Sequence, residues 1–261
     1  MNTVEAKIST GIASQGGHWY RNDGAACYEI EKKKGGMRPV DMRDARKHSL
    51  VPSVTTVMKV MAKPALEVWK QKQVILAALT LPMHDGESLD DYATRIMSDS
   101  KQQAIAAAQR GTNIHAAIEA HFCGDAVEAD YVPYVIAATE KIFSIGAEWE
   151  PEKSFAHPYG YGGKVDLHSR SANVVLDVKT KEFTEADAKK LIYDEHSIQL
   201  AAYRYGLDMP TAACGNVFVS VSEPGLVQVV MHDEEELQRG WRIFQGLLSL
   251  WKEIKKFDPA F

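Results

Sequence analysis

Between residues 163 and 179 the chain reads as two short strands joined by a tight turn, Gly163-Lys164-Val165-Asp166-Leu167 and Val174-Val175-Leu176-Asp177-Val178-Lys179. Side chains alternate faces along a strand, so Asp177 and Lys179 emerge on one side. Folding back about Arg170 to Ala172 places Asp166 opposite Asp177. Like charges opposed on a ladder destabilise it, and carboxylates among Val and Leu are costly to bury unpaired. The segment therefore predicts a hairpin with a positive group near its two acids. A shared divalent cation would meet that need. So would a structural ion pair of Asp177 with Lys179 or Lys164.

Bulk properties narrow the setting. At 261 residues, 45% hydrophobic and 25% charged, the chain has the composition of a globular domain. No apolar run approaches the roughly 20 residues of a membrane span, so no membrane partner is expected. Met1 to Gly17 shows no secretory signal pattern. Cys27, Cys123 and Cys214 are widely spaced and suggest neither a disulfide framework nor an iron–sulfur or zinc site. A reducing cytoplasm is the expectation. The net charge of −5 lacks the basic footprint common in nucleic-acid binders. An enzyme built on carboxylates and cations can still act on such a polymer.

One domain, 1–261, is expected in three parts: strands and loops over 1–50, a mainly helical part over 51–150, and a sheet with a C-terminal helix over 151–261. Trp19-Tyr20 and Ala26 to Ile30 read as strands around Asn22-Asp23-Gly24. The basic stretch from Lys32 to Lys47 reads as a solvated loop or, more sharply, a phosphate-contacting arm. Ser53 is a plausible helix cap, and Pro64 suits the first turn of a helix running to about Leu79. Leu81 to Ser88 is a linker, and Leu89 to Phe122 a helix with a break near Gly111. Val132 to Trp149 is expected to be helical, with Val135, Ala138, Ile142 and Ile145 on one face. Lys153 to His157, Asn216 to Val221 and Leu226 to Met231 read as strands. Helices are expected over Ile192 to Leu207 and after Asp233, the latter with acids first and lysines last.

Two helical segments add chemistry. Ile114, Ile118 and Phe122 make an inward stripe, with His115 and Glu119 on a line beside it. Imidazole plus carboxylate is a common ligand pair for divalent metals; a surface His–Glu pair is the plainer account. Gln199 and Tyr203 share a line on a later helix. They are neutral hydrogen-bonding groups suited to a phosphate or base edge, or simply helix surface beside core.

Taken in order, Gly111…His115, Gly163…Asp166, Asp177…Lys179 and Gln199…Tyr203 resemble the RecB-like exonuclease branch of the PD-(D/E)XK nuclease superfamily. The early Pro52 to Thr56 resembles a segment of phage and mitochondrial members, and the match spans about Pro52 to Tyr203. The resemblance implies an α/β fold, a mixed central β-sheet flanked by helices with a restriction-endonuclease-like core. It implies DNA cleavage with one or two Mg2+ or Mn2+ ions, most often from a free end, in phage or bacterial recombination or repair. By motif, Asp166, Asp177 and Lys179 would be catalytic. His115, Asp166, Asp177 and the Val178 backbone carbonyl would hold metal, with Glu119 a further ligand. Gln199 and Tyr203 would line the DNA path. A recombination or single-strand annealing protein is an implied partner. The chain departs from iron–sulfur relatives in lacking four cluster cysteines, and it has no G-x-x-x-x-G-K-[ST] helicase motif. A structure-specific flap endonuclease, a catalytically inactive DNA-binding module and a metal-independent enzyme with His115 as general base are the alternatives.

Overall fold

The structure is a computed structural model that describes residues 17–146 and 148–261. Residues 1–16, most of the stretch considered above for a secretory signal, lie outside the described residues.

The N-terminal part runs through β1 (Trp19–Tyr20), β2 (Glu29–Glu31), β3 (Met37–Pro39), helix α1 (Met42–His48) and β4 (Val51–Pro52). β1 pairs antiparallel with β4, and β2 with β3. The basic stretch is thus a hairpin turn followed by a helix that the loop reading missed. A reciprocal capping box fixes that helix: the Asp41 carboxylate accepts from the N–H groups of Arg43 and Asp44, and Asp44 accepts from the N–H of Asp41. Arg38 donates twice to Asp44, at 2.5 and 2.8 Å, and Arg46 donates to the Lys255 carbonyl at 2.6 Å. Both cations are engaged within the fold, whereas Lys32, Lys33, Lys34, Arg43 and Lys47 of the same stretch are exposed.

Four helices follow. In α2 (Val54–Met58) the Ser53 hydroxyl accepts from the Thr56 N–H at 3.0 Å, the expected cap. α3 (Pro64–Thr80) begins on its proline. α4 (Leu89–Cys123) spans 35 residues without the break expected at Gly111. Packing explains that glycine, because a Cβ there would lie 2.6 Å from Thr180 Oγ1. α5 (Val132–Phe143) stops short of Trp149. Ile145 and Trp149 still pack on the same cluster, and the Trp149 indole donates to the Gly146 carbonyl at 3.0 Å.

A five-stranded sheet forms the centre, from β5 (Glu150–His157), β6 (Tyr161–Ser169), β7 (Val174–Lys181), β8 (Ala213–Ser220) and β9 (Val227–His232). Its spatial order follows the chain. Every pairing is antiparallel except β7–β8, whose parallel crossover is helix α6 (Asp194–Gly206). Helix α7 (Glu234–Lys255) closes the fold, capped by Asp233 at 2.7 Å to the Glu236 N–H.

Val174, Leu176 and Val178 pack with Ile114 and Ile118 of α4 and Val135, Ala138 and Ile142 of α5. Val175 joins Ile198 and Leu200 of α6 and Trp241 and Phe244 of α7. The alternation places helices on both faces, so the fold is an α/β mixed sheet flanked by helices. Among the described residues, no helix is long and apolar enough to cross a membrane.

Candidate active site

The expected hairpin is present in the expected register. β6 and β7 pair through Ser169↔Val174, His168↔Val175 and Leu167↔Leu176. The next step would oppose Asp166 and Asp177, and there the two strands part. On the other side, the β5–β6 register passes from Pro151↔Leu167 to Lys153↔Val165. Glu152 occupies the intervening step opposite Asp166, with its backbone at φ 55°. Val165 packs on the α6–α7 side, whereas Leu167, two residues on, packs on the α4–α5 side. Face alternation therefore breaks at Asp166. Its carboxylate turns into the gap, where Oδ2 accepts from the Val178 N–H at 2.7 Å and lies 3.2 Å from His115 Nε2. His115 is brought there by α4, whose Ile114 and Ile118 are seated in the core.

Asp177 is 2% exposed and takes four contacts. The Lys179 ammonium reaches Oδ1 at 2.9 Å and Oδ2 at 2.7 Å. Gln199 Nε2 donates to Oδ1 at 3.1 Å, and Asn216 Nδ2 donates to Oδ2 at 2.7 Å. Gln199 Oε1 also accepts from Lys179 at 3.2 Å, and its amide reaches the Tyr203 hydroxyl at 2.8 Å. The ion pair between Asp177 and Lys179 is thus real, and a one-turn spacing on α6 delivers Gln199 and Tyr203 to the same cluster. Lys164 is instead directed to Glu152 and, at 3.6 Å, to Glu119.

The two aspartates are pushed apart electrostatically. Burial raises the Asp166 carboxyl, but His115, Lys179 and the Val178 N–H outweigh it and hold it below the ordinary value. At Asp177 burial wins: despite Lys179, and with Asp166 adding repulsion, the carboxyl lies above its ordinary value. Burial lowers Lys179, yet Asp177 and Asp166 more than restore it, so its ammonium form is favoured. Burial likewise opposes the His115 cation, and Asp166 overrides it.

A small cavity beside this cluster is lined by His115, Glu119, Phe122, Glu152, Asp166 and Val178. Of the motif residues it gathers His115, Glu119, Asp166 and Val178, not Asp177 or Lys179, and it adds Glu152. Sequence reasoning missed Glu152 because its place opposite Asp166 depends on the β5–β6 register. It also missed Asn216, though an amide opening the run Asn216-Val217-Phe218-Val219 was a visible polar intrusion.

In donor chemistry the set suits a hard divalent cation: carboxylate oxygens, an imidazole nitrogen and the Val178 carbonyl. The hydrogen bonds to Asp166 fall on Oδ2, which leaves Oδ1 for a cation. Among the described residues, however, no group of three or more His, Cys, Asp or Glu side chains is drawn together as a ready cage. His115 and Asp166 are in contact, whereas Asp177 faces Lys179, Gln199 and Asn216.

No protein-family model and no curated protein matches the chain. Among solved structures, it is similar to a candidate exonuclease from Eubacterium rectale, at 10% identity and TM-score 0.43, covering 56% of this chain and 68% of that one. It is also similar to a phage-related exonuclease from Haemophilus somnus 129PT, at 13% identity and TM-score 0.31, covering 65% and 89%. Likeness at this distance is too remote to assign an activity.

Proposed function

We propose that the protein is a metal-dependent DNA nuclease of the PD-(D/E)XK type, hydrolysing phosphodiester bonds. One observation supports this reading above the rest: two contacting pairs, His115 with Asp166 and Lys179 with Asp177, drawn from positions up to 64 apart in sequence, flank the point where β6 and β7 part. Asp166, Asp177, His115 and the Val178 carbonyl would hold the ion, with Glu119 and Glu152 at its edge. A bound Mg2+ or Mn2+ would supply charge neutralisation at the scissile phosphate and a more acidic water nucleophile. The chain's own groups do the remaining work. Lys179, held by Asp177 and Gln199, presents a fixed positive charge where negative charge develops on the phosphate. Gln199 fixes that ammonium, and Tyr203 supports Gln199. Both would also stand along the DNA path.

Within this class we favour an exonuclease acting on DNA ends, in cytoplasmic phage or bacterial recombination or repair, with an annealing protein as partner. The test is a substrate panel with Mg2+, Mn2+ or chelator. Labelled linear DNA should be degraded and a closed circle spared, with no turnover after chelation. Asp177→Ala and Lys179→Ala should lose at least about 100-fold in rate while keeping the fold. A cut circle or flap would identify an endonuclease instead. Turnover retained in either variant would falsify the site assignment.

A further inference from the structure

Behind Asp177 lies a second row of polar groups that the nuclease chemistry does not itself use. Asn216 of β8 stands directly opposite Asp177 in the parallel ladder and is fully buried. Its Nδ2 donates to Asp177 Oδ2 at 2.7 Å, and its Oδ1 lies 2.8 Å from His232 Nε2 on β9. The other ring nitrogen, His232 Nδ1, is 3.3 Å from Glu236 Oε2 in the first turn of α7. A continuous path therefore runs from α7 through β9 and β8 to the Asp177 carboxylate.

Chemistry fixes the direction of the two bonds nearest Asp177. A carboxylate that already takes an ammonium can only accept, so Asn216 must turn its NH2 to Asp177 and its carbonyl to His232. His232 must then carry a proton on Nε2. An amide that could otherwise flip is locked by a partner that allows one orientation. A buried Asn in an apolar strand is costly unless fully bonded, and valine would satisfy the β8 packing. The bonds converge on the one carboxylate whose direction matters to Lys179.

We propose that Asn216 and His232 are positioning residues for Asp177, setting the carboxylate that must serve both Lys179 and a divalent cation. The inference rests on the nuclease reading. Without the Asn216 donor, Lys179 and Gln199 alone orient Asp177, and the carboxylate rotates toward them.

The experiment compares the full-length wild type with Asn216→Ala, isosteric Asn216→Asp, His232→Leu and His232→Gln. Mn2+ affinity is read by calorimetry, cleavage by steady-state kinetics, and folding by circular dichroism. Asn216→Ala should weaken Mn2+ binding and lower kcat, each by about 10- to 100-fold, with KM for DNA unchanged at saturating Mn2+. Asn216→Asp, which sets acceptor against acceptor, should lose at least as much. His232→Gln keeps an N–H donor and should retain more Mn2+ affinity than His232→Leu. Folded Asn216 variants with wild-type Mn2+ affinity and kcat would overturn the positioning role and leave the nuclease reading standing. A wild type that neither binds Mn2+ nor cleaves would overturn the nuclease reading, and the positioning role with it. Should the Asn216 variants not fold, equal Mn2+ affinity in the two His232 variants is the overturning result.

Discussion

Two carboxylates a strand apart behave differently here because of what each one faces. Asp166 has an imidazole and a backbone N–H, while Asp177 is enclosed and must rely on one lysine and two amides. Paired acids driven in opposite directions are a recurring mark of sites that handle protons. The same logic governs a second pair, which joins α6 to α7. Arg204 is fully enclosed and donates to Glu234 at 2.8 and 3.0 Å, and to the Ala212 carbonyl at 3.3 Å. Hydrogen bonds from Arg204, then Gln238, hold the Glu234 carboxyl down at about 2. A folded-state value below the unfolded one contributes stability fully above the ordinary Glu range and loses it as pH falls through about 2. Glu234→Gln should therefore lower stability at neutral pH by about 1 kcal/mol, solvent screening at this exposed carboxylate limiting the effect. The gap from wild type should close as the pH approaches 2. Thermal melts across that range provide the check, and a pH-independent gap would contradict the ion-pair account.

Helix α4 is the element that completes the site, because it carries His115 across the sheet face to Asp166. Its approach is set one turn earlier, at Gly111, where the helix lies against Thr180 of β7. Gly111→Ala places a methyl against Thr180 Oγ1, so the Thr180 side chain must turn away or the helix must shift from the strand. Overpacking of this kind costs about 1–3 kcal/mol. The shift would also draw His115 away from Asp166 and reduce cleavage. Thr180→Ala in the same chain should recover much of both losses, measured by melting temperature and rate. A double variant no better than Gly111→Ala would show that the contact does not set the helix position.

Over the whole molecule the charge is −5, and the basic N-terminal stretch spends Arg38 and Arg46 on internal contacts. Phosphate binding by a chain of net negative charge needs positive charge gathered locally. Bound cations beside Lys179 are one such source in the proposed reading. Chelation should therefore weaken DNA association by about 10-fold or more, followed by fluorescence anisotropy at fixed ionic strength. Affinity indifferent to chelation would point to a DNA path away from the carboxylates.

Local pattern was enough for most of the elements. Helix caps at Ser53 and Asp233, the proline opening α3 and the hairpin register follow from short-range sterics and hydrogen bonding, which neighbouring residues specify. The same holds for the one-turn pairs His115 with Glu119 and Gln199 with Tyr203, whose shared helix lines need no tertiary information. What partners those side chains choose is different. Glu119 turned to Lys164 rather than to His115's partner, Gly111 marked a close approach rather than a break, and Glu152 and Asn216 entered from strands that flank the hairpin. Those outcomes depend on the order of strands in the sheet and on how two long helices cross it. Contacts between residues remote along the chain exist only once the layers have packed.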